Sequence, residues 1–340
     1  MVGGNGVVGR RGVAAALGLA ASTAAVRPAA AQGSGSGGAS GFPSRPIRII
    51  VPFAAGGTTD IVARALGDRL AAQLGQPVVV DNRGGAGGVV AGEVFARSEP
   101  DGHTLLVATA SLAAINKALR PNLPFDPDTE FVPIAMLAQQ PNVLVVNPRV
   151  LPQVHTLPDL IALAKARPGQ LNYASAGTGT QLHLTGAMLA AEAGIDIVHV
   201  PYRGAGPAVA DLIAGQVPMM FDGLGSALPH LRAGTLRAIA VAAEAPHPAL
   251  PGVQTVAATL PGFLSTNWAA LFGLRGTPAP VLDRIDAEAR KALETPEVRR
   301  LFAERAFDTM PIPRAELPAF MASERRRWGE AVRASGARVE

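Results

Sequence analysis

The chain of 340 residues contains no cysteine. That excludes a disulfide framework, a thiolate metal site and a lipid anchor on a processed N-terminal cysteine. Aromatic residues make up only 4%, so any core must be aliphatic, and the 48% hydrophobic content is enough to build one. Acidic residues are missing from positions 1–31, where Arg10, Arg11 and Arg27 stand. Setting these three aside from the 30 basic residues leaves 27 against 26 acidic, a net charge of +1. The remainder has no charge excess that would recruit nucleic acid. Beyond the N-terminus no apolar run is long and uninterrupted enough to span a bilayer.

The signatures of catalysis are missing as well. The histidines, His103, His155, His183, His199, His230 and His247, include no pair at H-x-x-x-H spacing. There is no G-x-S-x-G nucleophile elbow and no G-x-x-x-x-G-K phosphate loop. A literal G-x-G-x-x-G at Gly4, Gly6 and Gly9 has no strand before it and is read as chance. No cofactor and no metal are expected. One enzymatic reading stays open: a small-ester hydrolase using Ser175 as nucleophile and His183 as base.

The N-terminal segment, 1–31, reads as an export signal. Arg10-Arg11 precede a weakly apolar run at 12–25, and Ala29-Ala30-Ala31 offers a small-residue cleavage site. The paired arginines match a twin-arginine signal loosely, and the ordinary secretory route is also open; a disordered tail is the alternative. Residues 32–41 (QGSGSGGASG) have the composition of a flexible linker. The expectation is a periplasmic protein, soluble after cleavage of the signal and monomeric.

From Phe42 onward short apolar runs alternate with helical patterns, the mark of an α/β protein with largely parallel strands. The most informative stretch is 47–69. A β-branched run ends at Pro52-Phe53, small residues fill 54–59, and Asp60 opens an amphipathic helix that Thr59 or Asp60 can cap. A helix start unguarded by bulky side chains exposes unpaired N–H groups and the positive end of the helix dipole, and so favours an anion. Three more small-residue turns end strands: 109–111, 175–180 (SAGTGT) and 202–207 (YRGAGP). In open α/β sheets ligands bind beyond the carboxyl ends of the strands. Four such turns form a coherent carboxylate receptor. The local alternative is that each glycine serves its turn and each hydroxyl caps its own helix. Asp60 and Asp222 face the same choice between a local hydrogen bond and the cleft, and Arg203 could pair a carboxylate. Trp268 and Trp328 read as packing residues, and 325–327 as a solvated face. Two α/β units and a helical tail suggest two doubly wound lobes, 42–141 with 246–340 and 142–245. The chain would cross between them near 139–142 and 242–246, forming a hinge and a cleft.

These residues resemble the Bug family, the extracytoplasmic solute receptors of tripartite tricarboxylate transporters. The matching pieces are FPSRPIRIIVPFAAGGTTDIVAR at 42–64, GQPVVVDNRGGAGG at 75–88 and EPDGHTLLVATAS at 99–111, then LNYASAGTGTQLHL at 171–184, HVPYRGAGPAVADLIAGQVPMMFD at 199–222 and RAGTLRAIAV at 232–241. The resemblance implies a type II periplasmic-binding-protein fold closing over a small organic acid ligand, gripped by backbone amides, hydroxyls and ordered water rather than arginine. It implies ligand-binding roles for Phe53, Gly56, Gly57, Thr59, Asp60, Thr109, Ser111, Ser175, Gly177, Thr178, Thr180, Tyr202, Gly204 and Asp222. The implied partners are the membrane subunits of a tripartite tricarboxylate-type transporter or, in a sensing module, a membrane sensor. Two departures stand out. Gly84 replaces the usual proline, which should loosen that turn, and 244–256 lacks the usual arginine and Pro-Thr pair.

Overall fold

A computed structural model describes Gly3 and residues 41–335; the expected export signal at 1–31 and linker at 32–41 otherwise fall outside the described residues. The apolar runs become nine strands: β1 Ile47–Val51, β2 Val78–Asn82, β3 Thr104–Ala108, β4 Phe131–Val146, β5 Leu171–Ser175, β6 Ile197–Pro201, β7 Met219–Gly223, β8 Arg237–Val241 and β9 Thr266–Leu274. Around them lie α1 Thr58–Leu74, α2 Val89–Ala96, α3 Asn116–Leu119, α4 Pro127–Glu130, α5 Leu157–Ala166, α6 Gln181–Ala193, α7 Ala205–Ala214, α8 Leu224–Arg232, α9 Ala279–Glu294, α10 Pro296–Glu304 and α11 Leu317–Ser335.

The strands run β2-β1-β3-β9-β4-β7-β5-β6, and β8 also pairs with β4. β1 lies parallel between β2 and β3, and β5 parallel between β6 and β7. Helices on both faces explain why β1 is apolar apart from Arg48, which pairs with Asp81, and why Ile49, Ile50 and Val51 are fully buried. The pairings of β4 and β9 are antiparallel. β4 joins the two halves: residues 131–141 pair with β9, while 142–146 pair with β7 and β8. The sequence suggests two extended pieces at 131–137 and 142–146. The chain instead continues as one strand through Gln139, Gln140 and Pro141.

Residues just beyond the expected boundary at 246 pack with the second half. Leu250, Val256 and Phe263 are buried with the core of β5–β8, and Val241 N–H still donates to Gln254 O at 3.0 Å. At Ser265 the two crossing segments meet, with Asn142 N–H donating to Ser265 O and Ser265 N–H to Ala242 O, each at 3.0 Å. β9 then enters the first sheet at Thr266. The apolar residues of 246–263 are consumed by the second core, which keeps that connection from leaving early.

The last helices cover the first sheet. Ile285, Ala289, Val298 and Phe302 pack with α1 on one face, and Leu317, Met321 and Trp328 pack with Phe95 and Trp268 on the other. Glu324, buried in this second layer, accepts from Trp268 Nε1 at 2.6 Å, Arg327 Nη2 at 2.9 Å and Trp328 Nε1 at 3.1 Å. Arg325 reaches Asp128 at 3.0 Å. The basic run at 325–327 is thus partly engaged rather than simply solvated.

Candidate functional site

Gly57, in extended conformation, is the N-cap of α1, and no side chain caps the helix. The first intrahelical bond runs from Ile61 N–H to Gly57 O, so the amides at the tip have no acceptor within the helix. Asp60 does not cap it. Its carboxylate turns back to accept from Gly56 N–H at 3.0 Å, Arg64 Nε at 3.1 Å and Asn82 Nδ2 at 3.0 Å. Burial alone would raise the Asp60 carboxyl, but hydrogen bonds from Arg64, Gly56 and Asn82 outweigh it and hold the group below the usual carboxylate range. Asp60 thus uses its carboxylate for local hydrogen bonds that brace the turn rather than cap the helix.

Other helix starts meet this tip. After β3 the chain turns at Thr109 into a π-helical segment, Ser111–Ile115. Ser111 Oγ accepts from Gln181 N–H at 3.0 Å, tying this turn to the first residue of α6. Thr180 caps α6 by accepting from His183 N–H at 3.3 Å. α7 begins directly opposite α1: a methyl group added at Gly57 would lie 3.3 Å from Cβ of Ala205. Gln140, buried on β4, donates to Thr58 Oγ1 at 2.7 Å and accepts from Gly225 N–H, joining α1 to α8.

Between these elements lies a cavity walled by Gly57–Asp60 of α1, Thr180–Leu182 at the start of α6, Ala205 of α7, and by Phe53, Thr109, Ser111, Ala176, Asp222 and Asn267. No arginine or lysine is among them. The cavity has about 30 Å³ of room for the centres of water-sized spheres, enough for roughly two ordered waters.

Of the residues expected from the sequence, Phe53, Gly57, Thr59, Asp60, Thr109, Ser111, Thr180 and Asp222 stand on this wall. Gly56, Ser175, Gly177, Thr178, Tyr202 and Gly204 do not. The Gly56 amide is engaged by Asp60. Gly177, Thr178 and Tyr202 border a separate groove together with 84–87 and Arg203. Gly204 permits backbone contact, since a Cβ there would lie 2.7 Å from Ala54 N. Gly84 does the same: its Cβ would lie 2.6 Å from Arg203 O. Glycine at 84 therefore allows a tight approach between the two halves, beyond any loosening of its own turn.

Gln181, Leu182 and Asn267 lie outside the turns read from the sequence, whereas Thr58, Ala176 and Ala205 fall inside those turns without having been singled out as ligand-binding. Gln181 and Leu182 could have been reached by extending the 175–180 turn two positions into α6. Asn267 sits inside β9, with no turn signal beside it.

The hydrolase pair does not form. Ser175 is fully buried, and its Oγ lies 2.6 Å from His199 Nε2, not against His183. His183 Nδ1 accepts from Gly179 N–H at 3.3 Å. The rings of His183 and His199 stack at 4.0 Å. Burial pushes His183 down to about 4; burial, with His183 beside it, takes His199 down to about 3. None of Ser175, His183 and His199 reaches the cavity wall.

Asp222, at the end of β7, is fully buried and accepts from Gly223 N–H at 2.8 Å and from the Ser226 hydroxyl. Burial pushes its carboxyl up to about 6. Among the described residues no three histidine, aspartate or glutamate side chains gather to hold a metal ion, and no helix is long and apolar enough to cross a membrane.

The family model of the tripartite tricarboxylate transporter family receptor, TctC, matches residues 62–337. The chain belongs to the TctC family. It is 36% identical over 301 residues to protein BugT of Bordetella pertussis, covering 88% of this chain and 92% of BugT. Among solved structures, MatC from Rhodopseudomonas palustris, with bound malate, matches at 34% identity with a TM-score of 0.81, covering 86% of this chain and 100% of MatC. Another R. palustris protein, with adipate, matches at 30% identity with a TM-score of 0.83, covering 88% and 100%. The TctC fold is thus α/β in two wound halves, like these binding proteins, and the family is one of solute-binding receptors.

Proposed function

We propose that this TctC receptor captures a small organic acid in the cavity between its two halves and delivers it, in the periplasm, to the membrane subunits of a tripartite tricarboxylate-type transporter. The observation that carries the reading is the meeting of the starts of α1, α6 and α7 on one cavity without an arginine or lysine. Each helix start offers roughly half a positive charge; α1 and α7 have no side-chain cap on their first amides, whereas at α6 Ser111 and Thr180 already take the Gln181 and His183 amides. A carboxylate is held there without a counter-cation that would have to be desolvated first. Thr59, Thr109 and Ser111 add hydroxyls to the wall. The solved relatives with malate and adipate support the same class of ligand.

The cavity as it stands fits water rather than an organic acid, so entry requires the halves to part and capture requires them to close again. We take 42–141 with 266–335 as one lobe and 142–265 as the other, flexing at the crossings near 141–142 and 265–266. Contacts across the cleft then belong to the closed state: Ala54 N–H to Arg203 O at 3.0 Å, Gln181 N–H to Ser111 Oγ, and Gly225 N–H to Gln140 Oε1.

Thermal denaturation against a panel of carboxylates tests the reading. A ligand at about 100 times its Kd adds about 2.7 kcal/mol, a rise of several degrees for a chain of this size. If no organic acid raises the melt while a small ester is turned over, the receptor reading fails.

A further inference from the structure

Two buried acceptors on the cavity wall have no donor among the described residues. Gln181 is 2% exposed, and its Nε2 donates to Thr266 O at 2.6 Å and to Ser265 Oγ at 3.5 Å. Those bonds fix the orientation of its amide and leave Oε1 without a partner. Asn267, 9% exposed on β9, makes no side-chain hydrogen bond to another described residue, and its Oδ1 is buried and unpartnered. Since neither end of that amide is engaged, its acceptor is free whichever way the amide is turned. A buried acceptor left unpaired costs about 1–3 kcal/mol, and native proteins rarely keep one without a use. Asp222, on the same wall, has no ion-pair partner among the described residues. The wall is therefore two-sided: uncapped amide donors at the starts of α1 and α7, and unfilled acceptors at Gln181 and Asn267, with the Asp222 carboxylate, already bonded to Gly223 and Ser226, beside them.

We propose that Gln181, Asn267 and Asp222 read a hydrogen-bond donor carried by the ligand, so that the site selects a hydroxy- or amino-substituted carboxylate over the unsubstituted acid. This rests on the carboxylate reading above and adds the other end of the ligand to it. The donor fills acceptors that stay empty when the plain acid binds, and that difference is the basis of discrimination. An ammonium donor gains further, because it supplies the buried Asp222 carboxylate with the counter-charge it lacks.

The test is calorimetric titration of the purified protein with matched sets: propionate, lactate and alanine; succinate, malate and aspartate. In the set that fits, the substituted acids should bind about tenfold tighter or more, and the hydroxy and amino members separate the two donor types. In Asn267→Leu that ratio should shrink several-fold. An unsubstituted acid binding as tightly as its substituted partners overturns this inference and leaves the carboxylate reading standing. An unchanged ratio in Asn267→Leu also overturns it. If no acid of any set binds, the inference falls together with the receptor reading.

Discussion

Gly206, at the start of α7, faces the turn before α1 so closely that a Cβ would lie 2.2 Å from Ala55 O. Gly206→Ala should hold the halves apart. Ligand affinity should then fall about tenfold or more, since a backbone overlap of this kind costs more than 1.4 kcal/mol. The ligand-free melt should barely move, and calorimetry alongside a melting curve checks both. Unchanged affinity would mean that α1 and α7 need not meet. Asp222 gives a prediction in pH. With its carboxyl pushed up to about 6 in the folded chain, the unfolded chain releases the proton first. The contribution is therefore fully present below about pH 4 and lost as pH rises through 6, on the order of 3 kcal/mol. Asp222→Asn should abolish that loss, so that its melting temperature gains on the parent between pH 4 and 7; curves that stay parallel would contradict the burial argument. Phe53, Gly57 and Thr109 were legible from the sequence because each ends a strand or opens a helix. Gly177 and Gly204 misled for a physical reason. A glycine signals that something approaches the backbone, and only the fold shows whether it is a ligand or another stretch of chain. Asn267 carried no signal, since an asparagine within a strand reads as one more polar residue.

The turn at 175–180 shows what an element can conceal. Its hydroxyls and glycines read as a binding loop, yet Ser175 is bonded to His199 on the neighbouring strand and Gly179 to His183 on the following helix. Only the β5–β6 register, which sets Tyr173 opposite His199, brings these groups together. Both histidines are held below their ordinary value by burial, so the unfolded chain takes up protons first as the medium acidifies. Their stabilisation is present above about pH 6.5 and lost as pH falls toward 4 and then 3. His199→Gln should lessen the drop in melting temperature between pH 6.5 and 4; a drop of the same size would exclude the stacked pair as its source. At the crossing, Gln140 joins α1 to α8 with two buried hydrogen bonds. Gln140→Leu leaves Thr58 and the Gly225 amide unpaired, and chemical denaturation should register a loss of about 1–3 kcal/mol. No change would mean that water replaces the clamp.

For the molecule as a whole, the alternation of apolar runs and helical patterns was enough to read an α/β architecture with two wound halves. The antiparallel insertion of β4 and β9 was not legible, because a strand's partner depends on segments far away in the chain. The packing of 246–263 was not legible for the same reason: Leu250 and Phe263 could have served either core, and only the fold decides between them. The central claim concerns the molecule rather than any one residue, namely that converging helix starts hold a carboxylate by its charge. It is tested most directly by titrating the protein with its best-binding acid and with the primary amide of that acid, equal in size and neutral. The account predicts that the amide binds at least about a hundredfold more weakly, as expected when a charge-assisted set of hydrogen bonds is replaced by neutral ones. An amide that binds as tightly as the acid would contradict it.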